Sequence, residues 1–146
     1  MSLTQAVQIL AVVAAGLFAG AAIYVNVAEH PARLECGVSL AATVFGPSYR
    51  RASVMQASLA ILGSLAGASA WMLGAGTTWL VGATVLFFAV PFTLLVIMPT
   101  NKRLLDPSLD RTSAETYRLL VRWGRLHAVR SAAGAAAFVV FVVATS

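Results

Sequence analysis

The sequence predicts an all-α protein, a four-helix transmembrane bundle with a short interfacial or re-entrant segment after the first helix. Three observations predict it. Of the 146 residues, 60% are hydrophobic and only 10% charged, a balance that would leave a soluble domain with too much apolar surface in water. Four apolar runs, at residues 3–28, 53–73, 78–98 and 126–144, are each long enough to cross a hydrocarbon core of about 30 Å, which takes ~20 residues. Apart from Arg130, every Lys and Arg falls in alternate connections between the runs. Inside lipid no water satisfies backbone polar groups, so each run must be helical. The chain, 1–146, therefore reads as one integral membrane domain.

The elements follow in order. The run from Leu3 to Ala28 is read as a span and not a cleaved leader, because Met1 to Gln5 carries no Lys or Arg and the run is longer than a signal core. Gly16 and Gly20 give it a GxxxG pair that lets another helix approach. Leu40-Ala41-Ala42-Thr43-Val44-Phe45 is too apolar for a solvated loop and too short to span. It should lie at the interface, with Gly46-Pro47-Ser48 turning the chain and Tyr49-Arg50-Arg51 at headgroup level. The second run carries the pair Gly63 and Gly67, and the turn at Gly74-Ala75-Gly76-Thr77 leads into the third. There Pro91 removes a backbone donor and should kink the helix. Asp106-Pro107-Ser108 is a turn, and Thr112 with Glu115 three residues on forms a capping box. The helix it starts should carry Trp123 into the fourth crossing, whose segment Ala132-Ala133-Gly134-Ala135-Ala136-Ala137 is a small-residue packing surface.

Charge orients the bundle. Arg33, Arg50 and Arg51 lie between the first two runs, and Lys102, Arg103, Arg111, Arg118, Arg122 and Arg125 between the last two. The positive-inside rule then makes both longer loops cytoplasmic and places both termini outside. The net charge of +5 is a topology signal and a surface for anionic headgroups. Without aromatic residues interleaved among the basic ones it does not point to nucleic acid. The expected partners are the lipid bilayer, a small hydrophobic substrate or ligand, and further copies or subunits in a homo-oligomer or membrane complex. A single cysteine, Cys36, excludes an internal disulfide and a multi-cysteine metal site, and reads as a small half-buried residue.

The few polar residues within or beside the runs form the candidate site. Glu29-His30-Pro31 ends the first run, Pro99-Thr100-Asn101 ends the third, and Trp123, His127 and Arg130 open the fourth. An up-and-down bundle puts all three places on one side, and ionisable groups at membrane depth need partners. Asn26 and His30, four apart, share a helical face beside Glu29. Trp123, His127 and Arg130, spaced four and three apart, share another. His30, Asn101, His127 and Arg130 are expected to converge on one pocket with Trp123 and Tyr49 at its rim. Arg130 either snorkels to the interface or is a fixed cation paired with Glu29 or with a substrate oxygen. A metal set of His30, His127 and Glu29 is a weaker alternative of plausible ligand type, without a recognised local spacing. No serine stands in an elbow and no glycine loop cradles phosphate. No cofactor is named by the sequence, which leaves room for none being bound.

Several of these segments together resemble a family. Glu29-His30-Pro31-Ala32-Arg33, Phe45-Gly46-Pro47-Ser48-Tyr49-Arg50-Arg51-Ala52 with Met55-Gln56, Met98-Pro99-Thr100-Asn101-Lys102-Arg103-Leu104, and Trp123-Gly124-Arg125-Leu126-His127-Ala128-Val129-Arg130 look like the small four-span proteins grouped with anthrone oxygenases. The resemblance implies an oxygenation that turns an anthrone into an anthraquinone. The acidic methylene of such a substrate can be deprotonated to a carbanion that reacts with dioxygen without a bound redox cofactor. A neutral imidazole, with an unperturbed pKa of about 6.5, suits that step. Under this resemblance His127 or His30 is the base, Arg130 and Asn101 stabilise the enolate oxygen, and Trp123 and Tyr49 wall the flat ring. Asn26 and Glu29 add contacts to the substrate. The rival reading is a non-catalytic membrane subunit, or a protein that binds a lipid, quinone or other cofactor within a larger complex. A transporter comes third, since four crossings are few for one chain.

Overall fold

Four helices, each long and apolar enough to cross a membrane, make up most of the chain in the computed structural model, which describes residues 1–146. They are α1 (Leu3–Glu35), α2 (Val38–Met72), α3 (Thr77–Leu104) and α4 (Ala114–Val143), and there is no strand. The protein is an integral, multi-pass four-helix bundle. α1 packs along α2 and α4, and α3 packs along the same two helices, with α2 and α4 also touching across one diagonal. Both chain termini thus lie at one end, the terminal end, and the two longer connections at the other, the loop end.

At the terminal end the helices lock through glycine. A Cβ on Gly63 would sit 2.6 Å from the Leu86 side chain, one on Gly82 2.6 Å from the Phe141 ring, and one on Gly134 2.6 Å from the Phe18 ring. Phe18, Trp79, Leu86 and Phe141 are almost fully buried there among alanines, with Trp79 stacked on Phe141 at 5.4 Å between centroids. Helices so close gain dispersion contacts, which matter where lipid removes the hydrophobic drive. The Gly16 and Gly20 pair divides. Gly16 meets the Phe138 ring, whereas Gly20 meets nothing and is exposed.

Toward the loop end two helices lose their regularity in the same way. A π-helical turn at Val25–Glu29 precedes His30-Pro31 in α1, and another at Thr93–Ile97 precedes Met98-Pro99 in α3. A proline clashes with the carbonyl four residues back, and widening the preceding turn relieves that contact. His30 N–H accordingly bonds to the Val25 carbonyl and Met98 N–H to the Thr93 carbonyl. α3 is also interrupted at Phe88, three residues before Pro91.

The structure corrects four local expectations. Leu40 to Phe45 is not a separate re-entrant segment but the start of α2, and Gly46-Pro47-Ser48 does not turn the chain, because Pro47 lies inside that helix. The reason is packing: Ala41, Ala42 and Phe45 share a helical face buried against Leu104, Leu109, Leu120 and Trp123. Chain reversal falls instead at Gly37, whose φ of 105° favours glycine. The cap of α4 is Ser113, which accepts from Thr116 N–H. Thr112 is drawn away to donate to Asp110, and Glu115 accepts from Arg103 instead of closing a box. Cys36 is exposed, not half-buried.

Candidate functional site

Because α3 is interrupted at Phe88 and again at its π-turn, a cavity of about 190 Å³ remains between the helices toward the loop end. Tyr49, Gln56, Asn101, Trp123, His127 and Arg130 supply most of its polar lining, and the rest is largely aliphatic. Ala57 of α2 and Leu94 of α3 both line it and are exposed on the outer surface of the bundle. The cavity therefore meets the membrane between α2 and α3.

The spacing of Trp123, His127 and Arg130 turns one face of α4 toward this space. Trp123 Nε1 donates to Asn101 Oδ1 at 2.9 Å, which leaves Asn101 Nδ2 buried and without a partner. The Trp123 ring stacks on His127 at 4.7 Å and meets Phe45 edge-on at 5.4 Å, and Phe45 in turn stacks on Tyr49. His127 is 3% exposed. Its Nδ1 lies 2.7 Å from Asn26 Oδ1, and Nε2 makes no hydrogen bond to the protein.

Arg130 does not pair with Glu29. Its guanidinium donates to Gln56 Oε1 and lies 5.2 Å from the centroid of the Phe18 ring, with Nε buried and unpartnered. Glu29 is taken by Arg33, which also donates to Ser48 and so ties α1 to α2; Arg33 reaches the cavity lining and Glu29 does not. A desolvated cation over an aromatic ring is worth ~2 kcal/mol, but neither Phe18 nor Gln56 carries negative charge. Arg130 is thus a cation lining the cavity that forms no ion pair.

His30 and Asn26 lie outside the cavity lining. His30 packs on Trp123 at 5.1 Å between centroids and donates from Nε2 to the Leu120 carbonyl at 3.0 Å. Gly124 makes room for it, since a Cβ there would lie 2.8 Å from the ring. Asn26 reaches α4 one turn away, at Gly124, His127 and Ser131. The metal set is consequently not assembled. His30, His127 and Glu29 bond to three different partners, and no three His, Cys, Asp or Glu side chains are grouped to hold an ion. Gln56, which enters the sequence reading only through the family resemblance, and Ser131 are not among the site residues expected from the sequence. Signals existed for both: Gln56 is a lone amide entering an apolar run, and Ser131 follows His127 by four residues on one face.

A profile of the anthrone oxygenase family matches residues 45–140. The chain belongs to the anthrone oxygenase family. The stretch shared with the anthrone oxygenases contains Tyr49, Gln56, Asn101, Trp123, His127 and Arg130, whereas Asn26, Glu29 and His30 precede it. Anthrone oxygenase tpcL of Aspergillus fumigatus is 44% identical over 61 residues, 40% of this chain and 38% of that protein. The match therefore covers well under half of that relative's length. No solved structure matches the chain.

Proposed function

We propose that this protein oxidises a flat hydrophobic carbon acid of the anthrone type with dioxygen, using His127 as the base. The observation that carries the reading is an imidazole with Nδ1 engaged and Nε2 free, lining an apolar cavity beside an arginine that no carboxylate neutralises. In this reading Nε2 removes a proton from the activated methylene. The charge spreads to the ring-conjugated oxygen, where Arg130 and the unpartnered Asn101 Nδ2 stabilise it. The carbanion gives its electrons to dioxygen and forms a carbon–oxygen bond. The peroxide anion takes the proton back from the imidazolium. His127 then removes the second C–H proton, the O–O bond breaks to leave a carbonyl, and the departing hydroxide leaves as water. The balance is CH2 + O2 → C=O + H2O.

Trp123 and Tyr49 wall the ring, and a lipid-soluble substrate reaches the cavity between Ala57 and Leu94. Family membership and the apolar lining support this reading. The test is oxygen uptake and quinone absorbance by detergent-purified protein given anthrone as the probe. Uptake that fails in His127→Gln supports the reading. No uptake above that of heat-denatured protein, or full uptake by the variant, overturns it, and stable co-purification with partner subunits would then favour the non-catalytic alternative.

The same reading places the basic connections in the cytoplasm, from the bias in Lys and Arg. Cys36, exposed at the loop end, provides a natural probe. A membrane-impermeant maleimide should reach it only from the cytoplasmic side, and labelling from outside intact cells would reverse the orientation.

A further inference from the structure

We propose that Asn26 is a positioning residue that holds His127 in the one tautomer whose Nε2 lone pair is free, a role that rests on His127 being the base. Asn26 bonds to α4 through both ends of its amide. Nδ2 donates to the Gly124 carbonyl at 2.9 Å, while Oδ1 receives Ser131 Oγ at 2.6 Å and faces His127 Nδ1 at 2.7 Å. The amide cannot be flipped without setting its oxygen against the Gly124 carbonyl, two acceptors face to face. An oxygen 2.7 Å from Nδ1 requires that nitrogen to carry the proton. The proton is therefore on Nδ1, and Nε2 is the acceptor.

Free histidine in water prefers the other tautomer, whose Nδ1 would do the accepting. That nitrogen points at Asn26 and away from any cavity ligand. Asn26 and His30 lie four residues apart across the π-turn and meet α4 one turn from each other, at Gly124 to Ser131 and at Leu120 to Trp123. One carbonyl-anchored amide thus sets the chemistry of a ring on another helix, and a second histidine nearby is bound to a different carbonyl.

The experiment combines histidine nitrogen NMR of the detergent-purified chain with turnover of anthrone. His30→Gln assigns the two rings. Wild-type His127 should show a protonated Nδ1 and a bare Nε2. Asn26→Leu should convert it to a mixture and lower kcat by about 10- to 100-fold, within the ~10²–10⁴-fold that a positioned base supplies, with KM little changed. Asn26→Asp keeps the acceptor, so it should keep the tautomer and recover part of kcat. Its carboxylate favours the imidazolium and should move the acidic limb of the pH–rate profile to higher pH.

A purely structural Asn26 would lower the melting temperature of Asn26→Leu and leave its His127 tautomer unmoved, which would overturn the proposal. Wild-type His127 protonated on Nε2 would overturn it directly. Should Asn26→Leu not fold, Asn26→Ala, which also removes the acceptor, decides by the same tautomer. The tautomer is read without substrate, so it separates failure of the Asn26 role from failure of the oxygenase reading.

Discussion

The two ends of the bundle solve opposite problems with the same four helices. At the terminal end, rings of Phe18 and Phe141 and the Leu86 side chain sit where a Cβ on Gly134, Gly82 or Gly63 would be, so the helices close on one another. Toward the loop end, Pro31, Pro91 and Pro99 accompany π-turns and a break, and the helices part around a cavity lined by His127, Arg130 and Asn101. The unpartnered buried donors divide in the same way. Trp79 Nε1 is sealed in the dry end, whereas Asn101 Nδ2 and Arg130 Nε belong to residues that line the cavity. Tight packing at one end holds the frame against which a looser, polar end can stay open.

Substitutions can separate the two ends. The largest effect should come from His127→Ala, which removes the base and should reduce turnover by ~10²–10⁴-fold while the bundle still melts cooperatively. Arg130→Met follows, with a loss of about 10²-fold if its charge faces the developing oxyanion, read as lower kcat/KM for anthrone. Gly82→Ala tests the other end. Its Cβ would meet the Phe141 ring at 2.6 Å, and such overpacking typically destabilises by ~1–3 kcal/mol. Thermal melting should fall while turnover per folded molecule is kept, and loss of turnover at unchanged stability would mean that the ends are not separable.

His30→Ala sharpens the comparison within the loop end. It should lower stability by about 1–3 kcal/mol through lost packing on Trp123 and a lost hydrogen bond to the Leu120 carbonyl, with far less effect on kcat than His127→Ala.

The smallest effect concerns acid. The Asp106 carboxyl is held below its ordinary pKa by the Ser108 hydroxyl and N–H, and Asp110 by those of Thr112. Groups depressed in the folded state stabilise fully above the unfolded pKa near ~3.9, and lose that contribution as pH falls through the folded value. Their contribution is thus fully present at neutral pH, where it adds no slope to the dependence of melting on pH. Asp106→Asn should flatten only the acid limb of a stability profile taken below about pH 4.

The bundle was legible because lipid leaves the chain few choices. Apolar length, helix and span amount to one statement when the backbone must satisfy itself. The shared face of Trp123, His127 and Arg130 was legible for a similar reason, since helical spacing is local. What could not be read was which helix answers each polar group. Arg130 meets Gln56 and not Glu29 because Arg33, one turn from Glu29, reaches it first. Asn26 and His30 do share a face, and that face meets α4, but the sequence does not show that it lies beside the cavity and not in its lining. Leu40 to Phe45 looks interfacial in the sequence because its apolar partners, Leu104, Leu109 and Leu120, lie 59 or more residues away.

Each π-turn is equivalent to one residue inserted into an otherwise regular rod, and this makes the spacing of the loop end sensitive to length in a way that side chains do not reveal. Removing Val27 would restore α-helical register and rotate all that follows in α1 by about 100°. His30 would swing off Trp123 and Arg33 off Ser48, while Asn26, ahead of the deletion, kept its hold on His127. Removing Leu95 would do the same to α3, carrying Asn101 away from the Trp123 indole but leaving Thr93 in place. Single-residue deletions at these two turns would thus remove one wall of the site at a time. A chain that has lost either residue should pair its histidines, amides and arginines differently even with every one of them still present.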